Sequence, residues 1–104
     1  MVGVQPSSFM PFGKVVPLTY KAIRLILDRN TGLAGSGPTL PSSVVRALET
    51  ALRGPLIATD SYQVALPAED ATALVSWCRE VAQASSPRDA AILRVAAAVI
   101  EGAP

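Results

Sequence analysis

The 104-residue chain contains no histidine and one cysteine, Cys78, and only 16% of its residues are charged. The missing histidine removes the Ser-His-Asp triad, the imidazole proton shuttle and the Cys/His zinc site. One cysteine cannot close an internal disulfide. Soluble domains carry about 25% charged residues, so this surface is thinly charged. Nine basic against eight acidic residues leave a net charge of +1, without the clustered positive charge on which nucleic-acid binding rests. No uncharged apolar run reaches the ~20 residues that a membrane-crossing helix needs. The longest candidate, residues 90–100, is broken by Arg94. The N-terminus lacks the basic and continuous apolar regions of a secretory signal, and a lone thiol fits a reducing compartment. A cytoplasmic location is therefore expected. Arginine outnumbers lysine and alanine and valine abound, as in a GC-rich bacterial or phage genome.

What is present is apolar: half of the chain is hydrophobic. Alanine supplies much of that fraction, and it contributes little burial per residue. Enough larger side chains remain for one core, and the length suits one domain. Residues 1–13 read as an extended apolar arm in which Pro6 and Pro11 forbid regular helix, and residues 14–104 as a single helical domain. Lys14 to Leu18 suit a short strand, confined to an edge by Pro17.

Four helices are expected. Tyr20, Ile23, Ile26 and Leu27 share one face of a helix over about 19–29. Pro41 opens a second helix that Gly54 and Pro55 close, with Val44, Val45, Leu48, Ala51 and Leu52 inward and Arg46, Glu49 and Arg53 outward. Leu56 to Ala58 and Tyr62 to Leu66 read as two short strands across a turn at 59–61. Pro67 starts a third helix to about residue 84, with Glu69 and Asp70 in its first turn. Ser86 as N-cap and Asp89 three residues on start a fourth, ending near Glu101. The expected fold is mainly α: a small four-helix domain with a minor two- or three-stranded β element. The order strand, helix, connector, helix, glycine occurs twice at an offset of 48 positions, matching Val16 with Val64 and Leu18 with Leu66. A βαα duplication is the topology this suggests.

Residues that could carry chemistry are few. Cys78 falls inside the stripe of the third helix and has no histidine to activate it, so it reads as a small buried hydrophobe. The acidic residues have no spacing that forces them to converge on a metal or a glycosidic bond. The Gly32 to Pro38 loop lacks the Gly-Lys-Ser/Thr ending of a phosphate loop and reads as a helix connector. No cofactor, metal or small-molecule ligand is indicated, and no enzymatic activity is expected. The helix from Pro41 could serve as a DNA-recognition helix with Arg46 and Arg53 outward, but Glu49 shares that side.

Apolar residues that miss the core faces point to a partner instead. Trp77 falls about 100° from the middle of its helix's stripe, beside Ala73 and Ala84, and Leu25 falls nearly opposite Ile23. Ala90 and Ala97 belong to an alanine-lined flank of the last helix that would admit another helix closely. Phe9, Met10 and Phe12 make the arm resemble an extended ligand, docking in cis or on a neighbouring subunit. Tryptophan is among the most frequent interface anchors. The expected function is a non-enzymatic protein–protein interaction or assembly subunit, self-associating or docked on a larger protein. A small DNA-associated regulator with a helix–turn–helix-like pair is the alternative.

Overall fold

The computed structural model describes residues 13–33, 35–57 and 60–103. Four helices and a two-stranded antiparallel sheet follow one another as β1 (Gly13–Thr19), α1 (Tyr20–Gly32), α2 (Ser42–Arg53), β2 (Ser61–Pro67), α3 (Ala68–Gln83) and α4 (Pro87–Gly102). Of the described residues, 65% are helical. The alternation of side chains along a strand decides the ribbon's two faces. Val16 and Leu18 of β1 and Val64 and Leu66 of β2 are buried, while Val15, Pro17, Gln63 and Ala65 are exposed. The register sets Val16 against Val64 at the centre of the ribbon and Gly13 against Pro67 at one end. Burying each such valine or leucine contributes roughly 1.5–3 kcal/mol, and a one-residue slip of either strand would turn its two outward.

The strand expected at 56–58 is not formed among the described residues. Leu56 makes an isolated bridge to Tyr62, and the Ile57 amide donates to the Ser61 carbonyl at 2.9 Å. β2 takes the distant β1 as its partner instead. The reason is burial: β1 supplies a seven-residue register and two large inward side chains, which so short a segment cannot match.

Local signals set the helix ends. Thr19 Oγ1 accepts from the Ala22 amide at 3.1 Å, and Ser86 Oγ from the Asp89 amide at 3.3 Å, satisfying amides that a helix start leaves without partners. α1 runs three residues past the expected Arg29, and its capping amide on Leu33 bonds back to the Arg29 and Thr31 carbonyls. Pro41 is the N-cap of α2 and Gly54 its C-cap. Tyr20, expected inward, is half exposed at the first position of α1 and lies beside Tyr62, ring centroids 6.5 Å apart. Leu25, expected to point away from the core, is only partly exposed and packs against it.

α3 and α4 make the most extensive helix–helix contact of the fold, and two sequence expectations are corrected there. Ala90 and Ala97 are not on a free flank: they are buried with Leu93, Ala96 and Ile100 on the inward stripe of α4. Small side chains shorten the distance between packed helices, and here the neighbouring helix belongs to the same chain. Trp77 is not an exposed anchor either. It is 3% exposed, and its indole Nε1 donates to the Pro38 carbonyl at 3.0 Å. The connector between α1 and α2 packs on α3 from a second side, so α3 buries a wider arc than one stripe. The same connector is held by the Leu40 amide, which donates to Asn30 Oδ1 at 2.8 Å.

Candidate functional site

The interior offers no reactive arrangement among the described residues. No polar or charged residue is buried there, and no group of three or more Cys, Asp or Glu could hold a metal ion. Cys78 is fully buried on α3, and burial pushes its thiol up to about 12 from 9.0. It is a protonated packing residue at neutral pH, not a thiolate nucleophile. No described helix is long and apolar enough to cross a membrane.

The surface carries the distinctive feature. The outward positions of the ribbon are Gly13, Val15, Pro17 and Thr19 on β1 and Gln63, Ala65 and Pro67 on β2, none of them charged. Val15 is 53% exposed, and its cross-strand partner is Ala65. A groove of about 570 Å³ lies between β2 and α2, with Arg46, Thr50, Ile57, Gln63 and Asp70 along it. A second, of about 280 Å³, lies between β1 and α4, lined by Pro17, Ala22, Ile92, Val95 and Val99, with Lys21 as its charged neighbour. Val95 is 62% exposed, the most open large apolar side chain described. An apolar belt thus runs from Ile57 through Ala65, Val15 and Pro17 to Val95, flanked by Arg46 and Asp70 at one groove and by Lys21 at the other.

The residues expected at a partner surface are distributed otherwise. Trp77, Ala90 and Ala97 lie inside, Leu25 and Ala73 are half-buried, and Ala84 is exposed just past the end of α3. Phe9, Met10 and Phe12 lie outside the described residues. Sequence reasoning did not single out Val15, Ile57 or Val95. Strand alternation could have found Val15, because placing Val16 inward places Val15 outward. Val95 becomes legible once Ala90 and Ala97 define the inward stripe of α4, which leaves it on the outer arc with Ala91, Arg94 and Ala98.

The ion pairs lie along or between helices. Arg24 pairs with Asp28 along α1, Arg29 with Asp89 between α1 and α4, and Arg79 with Glu101 between α3 and α4. Lys14 Nζ donates to the Ile100 carbonyl at 3.1 Å, placing a cation at the C-terminal end of α4 where the helix dipole favours one. Arg46 and Arg53 of α2 are exposed and take part in no ion pair among the described residues.

No protein-family model matches the chain, and no curated protein or solved structure matches it.

Proposed function

We propose that this chain is a non-enzymatic protein–protein interaction or assembly subunit, self-associating or docking on a larger protein, with a cytoplasmic place of work. Its helices and ribbon are read as a duplicated strand–helix–helix unit from a bacterial or phage source. The observation that supports the interaction reading is the uncharged belt across the ribbon, with Val15 and Val95 exposed at its middle and one end. Single exposed hydrophobics are ordinary, but continuous apolar strips of this kind are typical of contact surfaces. Trp77, Ala90 and Ala97 are taken up by the fold itself and are not available to such a surface. Light scattering on the purified chain, with and without the partner that co-purifies, tests the reading. Association that Val15→Asp weakens at least tenfold supports it; a stable monomer that retains no partner contradicts it.

A DNA-associated regulator is the second reading, and the free guanidinium groups of Arg46 and Arg53 favour it. Glu49, exposed on the same helix, opposes it. Duplex retardation that fades steeply with salt would support it, and no retardation at low salt would remove it.

A further inference from the structure

The grooves on the two sides of the ribbon occupy equivalent places. Strand positions 48 apart correspond, so that Val16 matches Val64 and the two strands share one alternation of buried and exposed residues. On the flanking helices the correspondence is 49 positions: Val44, Leu48 and Ala51 are buried on α2 as Leu93, Ala97 and Ile100 are on α4. By these offsets Arg46 and Thr50 of the α2–β2 groove match Val95 and Val99 of the α4–β1 groove. Ala65 and Pro67 match Pro17 and Thr19 in the same way.

One difference stands out between them. In the α2–β2 groove the chain entering β2 doubles back along that strand, through the Leu56–Tyr62 bridge and the Ile57 to Ser61 hydrogen bond. Ile57 thereby becomes part of the groove lining. The residues corresponding to Leu56 and Ile57 at the strand offset are Ser8 and Phe9. We propose that the α4–β1 groove is the seat of this chain's own N-terminal segment, with Phe9 against Val95 as Ile57 lies in the α2–β2 groove.

Three further observations agree. The segment joins β1 at Gly13, so its length and tether allow it to reach the groove. Twelve residues reach up to roughly 40 Å, and Pro17 is only about 13 Å along β1 from Gly13 at strand spacing. Met10-Pro11-Phe12-Gly13 has proline second and glycine fourth, the pattern of a type I turn, which would reverse the chain as it enters β1. The chemistry also fits: residues 1–12 contain no charged side chain, and the α4–β1 groove is the apolar one of the two.

This inference rests on the duplicated-unit reading and not on the assembly reading. Isotope-filtered NOE spectroscopy on the full chain tests it. The expected result is contact between the Phe9 ring and the Val95 and Val99 methyl groups within one molecule. Val95→Asp then removes those contacts and speeds chymotrypsin cleavage after Phe9 about tenfold, while Leu56→Asp leaves the rate within twofold. Absent contacts, contacts only between molecules, or Phe12 in place of Phe9 would each overturn it. Light scattering decides the assembly reading separately, so a docked segment in a strict monomer keeps this inference and removes the other.

Discussion

The two helix pairs of this fold solve one problem in different ways. α3 and α4 are joined through residues 84–86 and pack along their length, with Ala90, Ala96 and Ala97 on the buried stripe of α4. α1 and α2 are joined through residues 33–41 and touch far less. Where alanines let helices approach, backbone proximity closes the core. Where the connector is long, side chains must pin it, and Asn30 and Trp77 do so through Leu40 and Pro38. Each helix pair also reaches across to the other pair's joint. Trp77 of α3 grips the connector before α2, while Arg29 of α1 pairs with Asp89 at the start of α4 across 3.7 Å. One contact is a buried aromatic with its N–H satisfied; the other is a partly exposed ion pair. They should differ severalfold in worth.

Substituting the buried member is the most severe way to break the comparison. Trp77→Ala should cost about 3–5 kcal/mol, as a large side chain leaves a cavity, measured by denaturant unfolding followed by circular dichroism. Trp77→Phe keeps most of the packing but orphans the Pro38 carbonyl, and should cost about 1–3 kcal/mol. An anchor facing solvent would leave the monomer's stability untouched. Next comes the tight pair. Ala97→Leu should overpack α3 against α4 by about 1–3 kcal/mol, whereas Ala98→Leu, one residue on and exposed, should stay within about 0.5 kcal/mol of wild type. Equal costs at the two positions would contradict the assigned stripe.

Much of this was legible in the residues. The period-3.6 spacing of α3, the Ser86–Asp89 cap and the alternation of β1 and β2 carry local physics that tertiary packing reinforces. Partner choice was not legible. Alternation in β2 says which side chains face inward but not which strand pairs, and only the shared burial of Val16, Leu18, Val64 and Leu66 selects β1. Trp77 escaped because a phase argument assumes one neighbour, and α3 packs on several elements besides α4, among them the connector at Pro38. The alanines of α4 are expected on an outward flank, and the packing of the chain on itself puts Ala90 and Ala97 on the inward stripe instead. The exposed belt was hidden because Val15 and Val95 differ from core valines only by their place.

Smaller effects sharpen the contrast between the halves. Asn30→Ala removes the acceptor for the Leu40 amide and should cost about 1 kcal/mol. Loss of the Ser86 cap by Ser86→Ala should cost a similar amount in the other half. Arg29→Ala should cost under about 1 kcal/mol and lose even that at high salt, because its pair with Asp89 is about one-third exposed. Cys78 adds a pH dependence. Its thiol is raised to about 12 in the folded chain from 9.0, so above pH 9 the unfolded chain sheds a proton that the folded chain keeps. The stability that its protonated form contributes is complete below pH 9 and declines progressively toward pH 12. Cys78→Ala should flatten that part of the stability profile in denaturant titrations, and an unchanged slope would contradict the assignment.

The central claim is that the chain's own fold uses the side chains that look like interface anchors, leaving the ribbon face for contacts. Trp77 is the only tryptophan, so intrinsic fluorescence reads that claim directly. At concentrations where light scattering gives the monomer, emission should be blue-shifted and shielded from acrylamide quenching. A red-shifted, readily quenched tryptophan in the monomer would contradict the account.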